Sequence, residues 1–422
     1  MTNADIGTVR LIPRPPRLLL IAALLMSLYQ WLVLVTTIPY PGKIGLDYNT
    51  LGTDWMVFYG AIRSVLDGHS ALIYDGTRFT DFLNATFAGV LSRPLEFRPW
   101  TYPPDFLVAL LPFAPLGFIR SYIAFQIVTG GLLVVALRAF PFVRAAGGMA
   151  IAMVLLYPAA TINVMSGQCT FLVAALIVGG FALLTSRPVW AGLLLGLLTF
   201  KPQFCLLVPF ALIAAGSWRA VIAAALSPLV MMALSGMMFG WDLWVRWIPL
   251  VWSNVNSSND LWIETGRMWG NSVYTCAVLL GASAAIASVV QLLAIGGAVV
   301  AVVAAFRSRL GAMEKTAVFL AATVLAAPHS GLYDMLLLQI AVVFLLLARD
   351  TARQPWLWGL AFAVWLLPAL GPPALFGASR LGPLVPLALI LTALFGGDVR
   401  SIRTGESEAA PEAEPSASPA SG

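Results

Sequence analysis

Residues 282–306 read ASAAIASVVQLLAIGGAVVAVVAAF, a continuous apolar run without a charged side chain. Such a run predicts a membrane-spanning helix, because about 20 helical residues match the roughly 30 Å hydrocarbon core of a bilayer. The backbone polar groups of a spanning segment must be satisfied inside the segment, which favours helices over other structures. This stretch therefore indicates a helical membrane protein.

The rest of the chain repeats the pattern. Of its 422 residues, 60% are hydrophobic and only 10% are charged, which excludes an ordinary soluble domain. Prolines break residues 103–118, which predicts a half-span, and two short apolar pieces (189–200 and 203–216) meet at Lys201-Pro202 in a predicted helical hairpin. We expect an all-α polytopic protein of about 10–13 transmembrane or half-membrane helices. About ten full crossings are predicted, at 18–38, 121–139, 146–163, 168–186, 219–239, 282–306, 315–328, 334–348, 356–370 and 381–396.

Basic residues predict the topology. The formal charge is +5, but the basic side chains lie in short loops on one predicted side of the membrane, so they indicate orientation and no nucleic-acid partner. That side is cytoplasmic, and it would hold both termini: residues 1–17 and a disordered tail, 397–422. The transmembrane domain is then 18–396. The loop residues that set the topology are Arg138, Arg144, Arg187, Arg219, Arg307, Arg309, Lys315, Arg349, Arg353, Arg400 and Arg403.

The outer side would carry two long loops, about 39–102 and 240–272. In the first loop, Asp54–Leu66 and Phe79–Leu91 have apolar residues at helical spacing, which favours helices lying in the membrane interface. The second loop is rich in tryptophan, which is typical of an interfacial belt and would also suit a surface for a sugar or lipid.

Ionisable and amide side chains next to the spans are the candidate functional residues, because charge is costly near membrane depth. Asp54 begins a predicted helix, and it is either an ordinary helix-start acid or a general base. His329 is a loop cap or the partner of an anion. Lys201 either reaches back to the interface or binds a phosphate group, and Asp334 could pair with it. Gln168 offers an amide at the start of a span.

Other chemistries find no support in the sequence. The three cysteines (Cys169, Cys205 and Cys276) lie in apolar surroundings without CxxC spacing, which favours buried small side chains. No nucleotide-binding, zinc-hydrolase or serine-hydrolase motif occurs in a suitable context, and carboxylates do not cluster at a metal-ligand spacing. We therefore expect no cofactor and no metal.

A set of short motifs in a fixed order resembles the family 87 glycosyltransferases of the GT-C superfamily. The resemblance covers roughly residues 45–350, and the chain departs from the family pattern at Ser330-Gly331-Leu332, which bears on the donor sugar more than on the reaction class. The motifs are Gly52-Thr53-Asp54-Trp55, Gly68, Tyr74-Asp75, Tyr102-Pro103-Pro104, Leu111-Pro112, Ser166-Gly167-Gln168, Lys201-Pro202, Gly270-Asn271-Ser272, Pro328-His329 and Tyr333-Asp334.

The resemblance implies an inverting transferase that takes a hexose, typically mannose, from a polyprenyl-phosphate donor. The acceptor would be a lipid-linked glycan or glycolipid at the outer face of a bacterial inner membrane, facing the periplasm. It implies Asp54 as the general base. The implied donor-binding residues are His329, Lys201, Gln168, Tyr333 and Asp334, and the implied acceptor or lipid contacts are Trp55, Tyr102 and Asn271.

Two other classes of function share the predicted spans. A transporter or flippase of a lipid-linked glycan would also need a lipid groove, and an assembly subunit would need no site. The large first outer loop with Asp54 and the lack of internal repeat symmetry favour the enzyme over the transporter.

Overall fold

The computed structural model describes residues 17–37, 51–89, 91, 94–95, 97–256, 270–352, 354–370 and 380–396. Within these residues the chain is helical and contains no β-strand, so the all-α prediction is confirmed for them. The tail 397–422, nearly all of the N-terminal segment and parts of both outer loops lie outside the described residues. The domain boundaries therefore stay predictions.

Among the described residues, the structure contains four 3₁₀ helices besides the α-helices: Ser70–Tyr74, Leu111–Leu116, Leu197–Phe200 and Leu332–Met335. In chain order the α-helices are α1 (Arg17–Thr37), α2 (Thr53–Leu66), α3 (Gly76–Thr86), α4 (Asp105–Leu110), α5 (Phe118–Arg138), α6 (Pro141–Ala146), α7 (Gly148–Leu155), α8 (Pro158–Ser166), α9 (Thr170–Leu183), α10 (Pro188–Gly196), α11 (Pro202–Cys205), α12 (Val208–Ala214), α13 (Trp218–Phe239), α14 (Asp242–Asn256), α15 (Val273–Leu279), α16 (Ala284–Arg307), α17 (Ala312–Ala326), α18 (Leu336–Ala348), α19 (Trp356–Ala369) and α20 (Leu384–Phe395).

Long apolar helices are fewer than the sequence suggested. Among the described residues, α5, α13 and α16 are long and apolar enough to cross a membrane, and the pair α7–α8, bent by 57°, would be a fourth crossing. The sequence predicted one straight span over 146–163, whereas the helix breaks before Pro158 because proline lacks the N–H that would continue it. The other apolar helices are shorter, with 10–17 residues.

Two predicted interruptions are present. Residues 105–116 form α4 and a 3₁₀ helix that contains Pro115 and is followed by Gly117. Lys201 separates the 3₁₀ helix Leu197–Phe200 from α11, with φ −125° and ψ 76°, because Pro202 begins a new helix. These breaks place polar side chains inside an otherwise apolar bundle.

The first-loop helices differ from the expected interfacial pair. α2 is buried at most of its positions, so it is enclosed by protein on several sides and does not lie on a surface with one apolar face. Its predicted end is present, since Gly68 adopts φ 83° and Asp67 N–H donates to the Arg63 carbonyl at 2.9 Å. α3 begins at Gly76 and ends at Thr86, earlier than the predicted Phe79–Leu91.

The centre of the bundle is formed by α17 and α18, which are buried along nearly their whole length. Arg349, predicted as a loop charge, is 2% exposed and pairs with Glu314 at 2.6 Å. The reason is that Glu314 in the first turn of α17 is itself buried, and a buried carboxylate requires a counter-charge. This buried pair of helices supports the polar segment that precedes α18.

Candidate active site

Two tight turns bring the start of α2 against the end of α8. Gly52 precedes α2 with φ 75°, and its N–H donates to the carbonyl of Met165 at 2.7 Å. Gly167 follows α8 with φ 77°, a conformation that glycine adopts readily. A Cβ atom at position 167 would lie 2.5 Å from Cβ of Trp55, so a larger residue would push the helices apart. The contact places the first turn of α2 beside Gln168.

Asp54 lies in that first turn, and the residue as a whole is partly exposed. Nε2 of Gln168 donates to Oδ2 of Asp54 at 3.2 Å. Oε1 of Gln168 accepts from the Tyr102 hydroxyl at 3.1 Å and from the Cys169 backbone N–H at 2.8 Å. The first loop and the start of α9 therefore hold one carboxylate between them.

A buried ion pair lies beside this carboxylate. Nζ of Lys201 is 3.3 Å from Oδ1 of Asp334, and the two residues are 4% and 2% exposed. The same Oδ1 accepts from the Thr170 hydroxyl at 2.9 Å, and Oδ2 accepts from the Gly331 N–H at 3.0 Å. The ring of Tyr333 covers the ammonium at 5.2 Å. Lys201 is thus paired inside the protein and does not extend to the interface.

Asparagine and glutamine side chains connect the two parts. Asn163 donates to Oε1 of Gln126 at 2.9 Å and accepts from the Thr170 N–H at 2.9 Å, while Gln126 donates to the Gln168 carbonyl at 3.0 Å. Buried polar groups joined in this way fix one another's positions. We call this set the Asp54 network: Asp54, Tyr102, Gln126, Asn163, Gln168, Cys169, Thr170, Lys201 and Asp334.

The surroundings of Asp54 make it a stronger base than a free aspartate. Burial raises its pKa above the ordinary value, and the charge of Asp334 adds to that rise. The cations Arg98 and Lys201 and the hydrogen bond from Gln168 oppose the rise without cancelling it. A carboxylate with a raised pKa accepts a proton more readily, provided that it is ionised at the working pH.

The sequence of residues 100–328 matches the model of one protein family, glycosyltransferase family 87, and this match covers more than half of the chain. The chain belongs to glycosyltransferase family 87. With its apolar helices, it is a membrane glycosyltransferase, as the resemblance predicted. No curated protein and no solved structure matches it.

The matched region contains only part of the candidate site. Tyr102, Gln168 and Lys201 lie inside it, whereas Asp54 precedes it and the segment from His329 to Asp334 follows it. The structure brings the two outside parts to the matched part through the hydrogen bonds of the Asp54 network. The candidate site is therefore assembled from three separated regions of the chain.

Arg98 is a cation near Asp54 that no sequence motif indicated. Its backbone N–H donates to the Thr80 hydroxyl at 3.0 Å, and its Nε is buried without a hydrogen-bond partner. Within the described part of the chain it forms no ion pair, although its charge acts on Asp54. The signal for it in the sequence is weak, because Arg98 is one of many charged residues in the first loop.

Trp55 has a different position from the one expected of an acceptor or lipid contact. It is 1% exposed, its indole N–H donates to the Ser121 hydroxyl at 3.1 Å, and its ring centroid lies 4.8 Å from that of Phe125. A side chain enclosed in this way cannot touch a substrate. We therefore assign Trp55 to the core under the site.

The other two predicted acceptor or lipid contacts use their polar atoms internally. The Tyr102 hydroxyl is directed at Gln168. Asn271 is 6% exposed, and its N–H donates to the Ser330 carbonyl at 2.8 Å while its amide lies 3.3 Å from Sδ of Met335. Asn271 thus holds the segment before α18 in place and is not part of the Asp54 network.

His329 is the predicted donor contact that lies outside the network, whereas Tyr333 adjoins the network through its hydroxyl, which interacts with the Gln168 side chain. His329 is exposed in the turn after α17 and makes no hydrogen bond with any described residue. Tyr333 is half-buried, and its ring folds so closely over Gly331 that a Cβ there would lie 2.6 Å from the ring. Both residues remain proposed contacts for a ligand above Lys201.

In the described ranges, no group of three His, Cys, Asp or Glu side chains is placed to hold a metal ion. Cys169 and Cys276 are buried and Cys205 is partly buried, and all three are free thiols. Sγ of Cys169 lies 3.0 Å from Oε1 of Gln168, so this thiol also contributes to the polar surroundings of the site.

Proposed function

We propose that this protein transfers a hexose, mannose by its family resemblance, from a polyprenyl-phosphate donor to a lipid-anchored glycan or glycolipid, with inversion at the anomeric carbon. The observation that carries the proposal is Asp54: a partly exposed residue whose carboxylate accepts a hydrogen bond from Gln168 and lies close to the cations Arg98 and Lys201. A base next to positive charge suits a reaction in which a hydroxyl attacks and an anion leaves.

Asp54 acts as the general base in this proposal. Its carboxylate takes the proton of an acceptor hydroxyl, and the hydroxyl oxygen attacks the anomeric carbon from the side opposite the phosphate. The bond between that carbon and the phosphate oxygen breaks, and the lipid phosphate leaves with the electron pair. Because the leaving group is already an anion, it needs positive charge and no proton.

Arg98 is better placed than Lys201 to supply that positive charge. The ammonium of Lys201 is neutralised by Asp334 at 3.3 Å and covered by the Tyr333 ring. Arg98 forms no close ion pair with any described residue, and its guanidinium can bind phosphate oxygens in a forked geometry. We assign the donor phosphate to Arg98 with His329, and a mainly supporting role to the Lys201–Asp334 pair.

The membrane setting agrees with lipid-anchored substrates. Apolar helices of spanning length carry large exposed hydrophobic side chains, which suits contact with lipid. A donor and an acceptor that are both anchored in the bilayer meet at its surface. We propose the bacterial inner membrane, with the site facing the periplasm and both termini in the cytoplasm.

The test uses purified protein in lipid nanodiscs, a panel of radiolabelled polyprenyl-phosphate hexoses and a membrane lipid extract as the source of acceptor. We expect labelled lipid from one donor, most strongly the mannose form, with the opposite anomeric configuration to the donor. Absence of transfer from every donor would contradict the proposal. Movement of the donor across vesicle membranes without sugar transfer would identify a transporter instead.

A further inference from the structure

Both the oxygen and the nitrogen of the Gln168 side-chain amide make hydrogen bonds. We propose that Gln168 is a positioning residue for Asp54 and not a contact of the donor; this inference rests on the proposed function. The amide holds one oxygen of the carboxylate and leaves the other for the acceptor hydroxyl. The family resemblance implied the different role of donor binding for Gln168.

The orientation of the amide follows from its neighbours. The Cys169 backbone N–H can only donate, and it lies 2.8 Å from one end of the amide, so that end is the oxygen. The hydroxyl of Tyr102 and the thiol of Cys169 also point to this oxygen, at 3.1 and 3.0 Å. The amide nitrogen must then face Asp54 and donate to Oδ2.

The backbone of Gln168 is held as firmly as its side chain. Its N–H donates to the Asn163 carbonyl at 3.0 Å, and its own carbonyl accepts from Gln126 at 3.0 Å. The preceding turn at Gly167 has no room for a side chain. Since Gln168 is 4% exposed, a substrate has little surface to touch on it.

The other carboxylate oxygen of Asp54, Oδ1, makes no hydrogen bond within the described residues. A carboxylate fixed through Oδ2 presents Oδ1 in one direction, which is what a general base requires. Loss of the Gln168 bond would let the carboxylate rotate, and it would also remove an interaction that lowers the pKa of Asp54. The remaining ionisable groups around Asp54 are Arg98, Tyr102, Cys169, Lys201, Tyr333 and Asp334.

Gln168→Met tests the inference, because methionine keeps the size of the side chain and removes the donor. The matched control is Gln339→Met, a buried glutamine whose amide donates to the Met153 carbonyl outside the Asp54 network. For Gln168→Met we expect kcat to fall about 10- to 100-fold, the size of a lost hydrogen bond to a charged group, with the donor KM little changed. The acid limb of the pH–rate profile should move to higher pH. Gln339→Met should leave kcat and the acid limb at their native values.

A raised donor KM, with native kcat and an unshifted acid limb, would overturn the inference and restore Gln168 as a donor contact. If thermal unfolding in detergent shows that Gln168→Met does not fold, Gln168→Glu tests the inference instead. Glutamate keeps the shape of the glutamine side chain and places a second carboxylate against Asp54. The two carboxylates then share a proton, so the acid limb of the pH–rate profile should move to still higher pH than in Gln168→Met. An unshifted limb in folded Gln168→Glu contradicts the inference.

Failure of the proposed function and failure of the role of Gln168 give different results. If the native protein transfers no sugar from any donor, the proposed function fails. If the native protein transfers sugar and Gln168→Met matches it in kcat and pH profile, only the role of Gln168 fails.

Discussion

At the scale of single residues, Arg98 has an unsatisfied hydrogen-bond donor in this candidate site. Its Nε is buried without a hydrogen bond, and it lies near enough to Asp54 to lower the pKa of that carboxylate. A buried donor without an acceptor costs free energy, and an anionic ligand would supply the acceptor. A lipid phosphate has the required charge and oxygens.

We expect Arg98→Gln to raise the KM for the donor about 10- to 100-fold, the range for a lost charged hydrogen bond. Because the Arg98 charge lowers the pKa of Asp54, its removal should also move the acid limb of the transfer rate to higher pH. Steady-state kinetics across pH measure both effects. The control is Arg78→Gln, which changes an exposed arginine of the same loop and should leave the kinetics native. A native donor KM and a native pH profile in Arg98→Gln would contradict the assignment of the donor phosphate to Arg98.

Residue roles are only partly predictable from the sequence. Asp54, Gln168, Lys201 and Asp334 are recognisable because polar side chains next to apolar runs are rare, and the structure brings them into one network. Which of them pair could not be predicted, because Asp54 and Gln168 are 114 positions apart. The sequence predicted Trp55 as an acceptor or lipid contact, whereas the structure encloses its side chain in the core. An aromatic residue next to a polar loop suits either a surface or a core, so the sequence could not decide between them.

At the scale of elements, the site depends on how closely α2 approaches the end of α8. Gly167 permits this approach, and a side chain there would meet Trp55. Gly68, at the end of α2, has a similar φ of 83°, but a Cβ atom added there would have no neighbouring atom within 4 Å. Substitutions at these two glycines therefore distinguish the effect of backbone strain alone, at Gly68, from that of strain with a steric collision, at Gly167.

We expect Gly68→Ala to cost about 1–2 kcal/mol through left-handed backbone strain alone. Gly167→Ala should cost roughly 1–3 kcal/mol more, because the new methyl group collides with Trp55. Transfer activity should fall in Gly167→Ala, whose collision displaces Gln168, and persist in Gly68→Ala. Thermal unfolding in detergent and the transfer assay measure the two effects; equal stability and activity of the two variants would contradict the close approach.

The positions of the long helices could be predicted from hydropathy, but the breaks between consecutive helices could not. The apolar runs 219–239 and 282–306 coincide closely with α13 and α16, because each run forms one uninterrupted helix. The run 146–163 divides into α7 and α8 because Pro158 interrupts the hydrogen-bond ladder. Enclosure of α2 could not be predicted, because amphipathic spacing does not say how many neighbours cover the polar face.

At the scale of the whole molecule, the two sides of the bundle differ. The Asp54 network lies at one set of helix ends, where α8 ends and α9 begins. The basic turn after α16, with exposed Arg307 and Arg309, follows a helix of spanning length. Positive charge favours the cytoplasmic side, so we expect Asp54 to lie outside.

Cysteine labelling tests this orientation. In a Cys205→Ala background the remaining native thiols, Cys169 and Cys276, are buried. A membrane-impermeant maleimide should label Asp81→Cys, at an exposed first-loop position, in intact spheroplasts. Arg309→Cys, also exposed, should react only after lysis, and the reverse pattern would contradict the predicted topology.

The most direct test of Asp54 as the general base is single-turnover transfer by Asp54→Asn at saturating donor. Asparagine keeps the shape of the side chain and cannot take a proton, so we expect the rate to fall by about 10²–10⁴-fold while the donor still binds. Asp67→Asn, an exposed aspartate near the end of the same helix, should keep the native rate. Transfer by folded Asp54→Asn at the native rate would contradict the central claim that this carboxylate is the base.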